Sequence, residues 1–185
     1  MSTRIIDAII ERKSTLAFVP KSLSKQDIDM LFEASRWAPS SYNEQPWRFY
    51  YVNREQGDAF NRMVNALAPG NSEWAKKSSL LVFTIAKQTL TLNGNKNGYA
   101  KHDVGLATAN LLAQATAMGF ATHPMGGFDR DKVAELLKLS DDFAPVSVIA
   151  VGYKGDFEML SELNQKRELA ERKRKELDEI RFEIK

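Results

Sequence analysis

An α+β fold in one domain is predicted by three features of the sequence. Short, strongly apolar runs of strand length occur, above all residues 79–86. Several other stretches carry apolar residues at helical spacing. A chain of 185 residues, 43% hydrophobic and 27% charged, is also long enough to close one substantial core.

Along the chain, Ile5, Ile6, Ile9 and Ile10 predict a first helix over 3–13. Ser24, followed by Asp27, forms a capping-box pattern with aspartate in place of glutamate, and opens a second helix running through Ile28, Leu31 and Phe32 to Arg36. Pro39 ends that periodicity, and 38–46 has the composition of a loop. A strand is predicted over 48–52, a helix over 56–67, a turn at Pro69-Gly70-Asn71 and a buried strand over 79–86. Residues 89–98 are polar and rich in glycine and asparagine, which predicts a mobile loop. The alanine-rich stretch 101–118, stopped by Gly119, predicts a helix that packs closely on several sides. A strand over 120–123, a Gly-Gly turn, a helix over 130–137 and a strand over 146–151 complete the body. Residues 1–155 form this body. From Asp156 to Lys185 the chain is highly charged with widely spaced leucines, either a solvated tail or an arm lying on another surface, most economically a second subunit.

Composition excludes several functions. No cysteine is present, which removes disulfides, thiolate metal sites and a cysteine nucleophile. The formal net charge is only +2, without a basic stripe interleaved with aromatics, so no nucleic-acid partner is expected. No apolar run has the length of a membrane span or a signal peptide, so no membrane association is expected and a cytoplasmic location is the default. The two histidines, His102 and His123, have no carboxylate partners in metal-ligand spacing; His102-Asp103 reads as helix N-terminal capping. Neither a Gly-x-Ser-x-Gly elbow, a dinucleotide fingerprint nor a P-loop is present.

Three clusters remain. Arg12-Lys13-Ser14 supplies a guanidinium fork, an ammonium and a hydroxyl, suited to a phosphate; equally, it reads as a basic helix end opposing the macrodipole. Pro39-Ser40-Ser41-Tyr42-Asn43-Glu44-Gln45-Pro46-Trp47 sets uncharged hydrogen-bonding groups between two prolines, suited to a polar heteroaromatic ring and a polyol, or to a well-capped surface turn. His123-Pro124-Met125-Gly126-Gly127-Phe128 offers backbone N–H groups to a closely approaching ligand, or a simple turn.

In this order the clusters resemble the nitroreductase family of FMN-dependent oxidoreductases. The similarity runs from Ile9, Arg12, Ser14 and Phe18, through the diagnostic stretch Trp37 to Phe49, to Asn71-Ser72-Glu73-Trp74. It continues with Asp103-Val104-Gly105 and Met125-Gly126-Gly127-Phe128-Asp129, and closes on Arg172-Lys173-Arg174-Lys175. It implies a mainly antiparallel sheet flanked by helices, in an intertwined homodimer with FMN shared across the interface. On that pattern Arg12, Lys13, Ser14, Arg172 and Arg174 form the phosphate site. Pro39, Ser40, Ser41, Asn43 and Gln45 contact the ring and ribityl chain, some from the partner subunit. Asn71 reaches the pyrimidine side, Pro124 and Met125 border one face, and the backbone of Gly126 or Gly127 addresses flavin N5. The hydride is carried by N5 and no side chain is catalytic. NADH or NADPH is the implied co-substrate, and a nitroaromatic, quinone or similar small molecule the acceptor, in a ping-pong cycle. A flavin-dependent dehydrogenase, dehalogenase or flavin-consuming enzyme, or a non-catalytic FMN-binding protein, is the alternative on the same fold. Two departures stand out. Leu16 occupies a position where the family commonly has a basic residue, which predicts a substitute cation or a less stabilised reduced flavin. Glu176 replaces a common proline after the closing basic segment.

Overall fold

The computed structural model describes residues 5–184. Seven helices are named here: α1 (Asp7–Ile10), α2 (Lys25–Arg36), α3 (Asp58–Val64), α4 (Pro69–Ala75), α5 (Ala100–Ala117), α6 (Arg130–Leu136) and α7 (Glu162–Leu169). Five strands accompany them: β1 (Phe18–Val19), β2 (Trp47–Asn53), β3 (Leu80–Lys87), β4 (Ala121–Met125) and β5 (Phe143–Lys154). β3 lies between β2 and β5, while β4 and β1 also pair with β5, all of them antiparallel. A single parallel bridge joins Ser14 to Thr122.

The sheet is covered on both faces. Leu81, Phe83 and Ile85 of β3, with Val148 and Ala150 of β5, pack against Phe60 and Met63 of α3, Trp74 of α4 and Val133 of α6. The alternate residues Leu80, Val82, Ile149 and Val151 pack against Ile28 and Leu31 of α2 and Leu111 and Ala115 of α5. The side-chain period of two sends successive residues to opposite helical layers. With both layers apolar, the central strands read as continuous hydrophobic runs although their pairing is antiparallel.

Most expected elements form, with instructive differences at their ends. Ser24 Oγ accepts from Asp27 N at 3.1 Å and donates to the Asp27 carboxylate at 2.7 Å, so the cap that opens α2 is built as read. Where a turn was expected at Pro69-Gly70-Asn71, a helix begins instead. Pro69 fits its first position, and the burial of Trp74 and Ala75 supplies the tertiary packing that overrides weak local propensity. Of the helix expected over 3–13, whose first two residues lie outside the described ones, a single turn forms; Ile5, Ile6, Ile9 and Ile10 remain exposed. β5 is twice the length expected. It tolerates Pro145 because a register shift at Thr84/Ile85 places Pro145 beside a bulge. Pro124 is accommodated in β4, whose only strand partner among the described residues is β5. The polar segment 89–98 folds as a small hairpin, closed by Leu90 N–H donating to Asn95 O at 2.8 Å and a Thr89–Lys96 bridge.

Gly152 marks where Ser79 and Phe18 press on β5. A Cβ there would sit 2.7 Å from Ser79 Oγ and 2.9 Å from Ser79 N. Gly152→Ala is therefore expected to destabilise by about 1–3 kcal/mol through overpacking, read as a fall in thermal midpoint of several degrees; an unchanged midpoint would contradict the packing described.

Candidate functional site

Two polar constellations form on this framework. In the first, residues 12–16 run beside β4, where Thr15 N–H donates to Thr122 O at 3.3 Å. His123 is the next residue of β4. Its Nδ1–H donates to Thr15 O at 2.9 Å, and its ring lies 4.4 Å from that of buried Trp74. Arg12 Nη1 donates to Ser14 Oγ at 3.2 Å. The chain returns here from its C-terminal end: Arg172 donates to Arg12 O at 2.6 Å and also to Ile10 O. Burial, then the charges of Arg174 and Arg172, lower the pKa of Arg12. Three guanidiniums thus share one region, while the carboxylate of Glu168 is turned to other partners.

Glu168, at the end of α7, is only 5% exposed. Its carboxylate accepts from Leu16 N–H at 2.6 Å and Thr15 Oγ1 at 3.0 Å, and pairs with Lys13 Nζ at 3.3 Å. Lys13 also donates to Glu168 O. The Lys13 ammonium, expected at a phosphate, is thus committed to Glu168. Leu16 is buried among Phe18, Trp74 and Met125, so its position belongs to the core and not to a ligand-facing surface.

At the far end of β4 the Gly126-Gly127 turn meets Asn71. Asn71 Nδ2 donates to Gly127 O at 2.9 Å, and Ala68 N–H donates to the same oxygen at 3.1 Å. A Cβ on Gly127 would lie 2.8 Å from Asn71 Nδ2, whereas one on Gly126 would meet open space. Both glycines are exposed, and among the described residues their N–H groups donate to nothing. Met125 is buried and Pro124 half-buried.

The second constellation is the 39–46 loop. Tyr42, Asn43 and Gln45 have φ values of 54°, 53° and 50°. Left-handed backbone at non-glycine residues costs on the order of 1 kcal/mol or more each and persists only where surrounding bonds over-determine it. Those bonds are present. Gln45 N–H donates to Ser40 Oγ at 3.0 Å, and Ser41 N–H donates to Asp103 Oδ2 at 3.0 Å. His102 Nδ1–H donates to the other Asp103 oxygen at 2.9 Å, so Asp103 ties down this loop instead of capping its own helix. Glu44 accepts from Thr91 N–H at 2.9 Å and Thr91 Oγ1 at 2.6 Å, fastening the 89–98 hairpin; these bonds, with Lys87, lower its pKa. Asn43 and Gln45 are exposed on the strained loop, with Pro39 exposed and Ser40 and Ser41 half-buried beside them.

The two constellations share no hydrogen bond among the described residues. Met125 and Tyr50 stand at one level of the sheet through Val148 and Phe83, three strand spacings apart, or roughly 14 Å at about 4.8 Å each. Sequence reasoning found the members of both groups but missed Asp103 as a tie, Glu44 as an anchor and Glu168 altogether.

A family model described as the nitroreductase family matches residues 9–153. The chain belongs to the nitroreductase family. Among its relatives, Protein DrgA of Synechocystis sp. is 32% identical over 172 residues, covering 79% of this chain and 82% of that protein. A solved structure described as an oxidoreductase containing FMN is 30% identical and superposes with a TM-score of 0.91, covering 99% of this chain and 93% of that one. A nitroreductase family protein from Streptococcus pneumoniae TIGR4 shares the fold at a TM-score of 0.78 and 21% identity, over 96% and 98% of the two chains. As a nitroreductase the chain is an oxidoreductase of this general class, built on the family's α+β architecture. None of the described helices is long and apolar enough to cross a membrane.

Burial dominates the surroundings of His123 and lowers its pKa, against a smaller opposing effect of its bond to Thr15. The folded state therefore binds this proton more weakly than the unfolded chain. Its stability is full above the ordinary imidazole value of 6.5 and falls as pH drops through that value toward the depressed one. His123→Gln is expected to flatten the loss of thermal midpoint between neutral and mildly acidic pH; parallel pH profiles would show that His123 contributes nothing to it.

Proposed function

We propose that this nitroreductase works as a homodimeric, FMN-dependent NAD(P)H oxidoreductase acting on an electron-poor small molecule such as a nitroaromatic or quinone. The observation that carries the reading is the convergence of Arg12, Arg172 and Arg174 beside Ser14. Guanidiniums gathered beside a hydroxyl suit a multiply charged anion, and the phosphate of FMN is such an anion.

The remaining residues fit the rest of the same ligand. Gly126 and Gly127 expose backbone donors, and Asn71 fixes the turn by holding Gly127 O. Gly127 has no room for a side chain beside Asn71, which keeps the backbone open to a ring edge. The uncharged groups of Ser40, Ser41, Asn43 and Gln45 suit a polar ring and a ribityl chain, and their loop is held rigid by Asp103 and Glu44. Bound FMN would supply a ring that takes a hydride from NAD(P)H and passes one to the acceptor. The chain's own work is to hold the phosphate, orient the ring edge and leave one ring face accessible to both reactants in turn. No side chain needs to act as nucleophile or acid.

A second copy completes this arrangement. The 39–46 loop and the Gly126-Gly127 turn of one chain stand apart, so a ligand touching both draws them from different subunits. Exposed apolar groups supply the adhesive surface: Ile6 just before α1, Ile9 of α1, and Leu177, Ile180, Phe182 and Ile184 of the arm. Each such side chain stabilises by about 1.5–3 kcal/mol when fully buried.

The purified protein is expected to be yellow, with flavin absorbance that bleaches on anaerobic addition of NADH or NADPH and returns when a quinone or nitroaromatic is admitted. Colourless protein that takes up no FMN would overturn the reading. Bound FMN that neither nicotinamide reduces would favour the dehydrogenase, dehalogenase or non-catalytic alternatives.

A further inference from the structure

The C-terminal segment reaches the arginine cluster across more than 150 residues of sequence, and one buried group accounts for where it lands. Glu168 lies four residues before Arg172 and six before Arg174. Its carboxylate gathers the Leu16 N–H, the Thr15 hydroxyl and the Lys13 ammonium, all from the segment that carries Arg12 and Ser14. The Lys13 ammonium returns to the backbone oxygen of Glu168, so the contact is reciprocal. Beyond α7 the arm is exposed, and among the described residues Arg172 is fastened only at Ile10 O and Arg12 O. Without a tie, repulsion among three guanidiniums would favour the arm's release from this region.

We propose that Glu168 is a positioning residue that latches the root of the C-terminal arm to residues 13–16, and so brings Arg172 and Arg174 to Arg12 and Ser14 for recognition of a phosphate monoester. The inference rests on the flavin reading above, in which that phosphate belongs to FMN. Glu168 itself does not touch the ligand. A carboxylate there repels a phosphate, and it is useful only because Lys13 and two neutral donors absorb its charge and bonding capacity. Replacing it with glutamine keeps the shape but sets an amide N–H against one of its three donors.

FMN and riboflavin differ by the phosphate alone, and their comparison isolates the latch. The full-length chain, freed of flavin, is titrated with each by quenching of flavin fluorescence, for the wild type, Glu168→Gln and the milder Thr15→Val. Glu168→Gln is expected to lose at least about tenfold in FMN affinity, the scale of one charge-assisted hydrogen bond. Riboflavin affinity should change by less than about twofold, within the scatter expected away from a lost contact. Thr15→Val should shift the same ratio in the same direction by a smaller factor, and it carries the test if Glu168→Gln does not fold. Equal losses for both flavins would show a general structural role and overturn the proposal, as would an unchanged ratio in both variants. A wild-type chain that binds neither flavin instead sinks the flavin reading, and this inference with it. Wild-type binding with an unmoved FMN-to-riboflavin ratio refutes the latch alone.

Discussion

β5 is the strand on which the positions of the candidate site residues depend. Along one edge it pairs with β3; elsewhere it takes β4 over residues 148–152 and β1 at residues 153 and 154. β4 in turn carries Thr122, which holds Thr15, and leads into Gly126-Gly127. The register of one strand therefore fixes the segment with Arg12 and Ser14, the glycine turn and, through β3 and β2, the exit of the 39–46 loop. A slip by one residue would exchange its two apolar faces, Val148 and Ala150 against Ile149 and Val151, so the core enforces the geometry of the surface.

Electrostatics then adds what the sheet alone does not. Buried carboxylates do the fastening: Asp103 holds the strained loop by its backbone, and Glu168 holds the 13–16 segment. Each accepts hydrogen bonds from polypeptide distant in sequence, Asp103 also from adjacent His102, and such pairing is the condition under which an acidic group is stable away from water. The cations are left with less. Arg12 loses proton affinity to burial and to its like-charged neighbours, so an anion bound there would relieve that repulsion.

Much of this was legible in the sequence, and the remainder was hidden for physical reasons. The α2 cap, the buried β3 run and the long alanine-rich α5 depend on local signals, and all appear within a few residues of where they were read. β5 runs beyond the expected 146–151 because a bulge accommodates Pro145 and the close approach of Ser79 accommodates Gly152. α4 was concealed by its Pro-Gly-Asn start, since burial of Trp74 is a tertiary fact. The candidate ligand groups were legible through their order along the chain, since each cluster alone also reads as a turn or a helix end. Glu168 was not: in a tail dense with charge it resembles every solvated glutamate around it, and only the return of the chain onto residues 13–16 sets it apart.

On the proposed reading neither chain alone contains a complete flavin site, because the strained loop and the glycine turn stand apart in one molecule. Dilution of the flavin-loaded protein, followed in parallel by mass from light scattering and by fluorescence of released FMN, tests it directly. Flavin is expected to be released as dimers become single chains, with the two curves superposing. Single chains that retain FMN would contradict it.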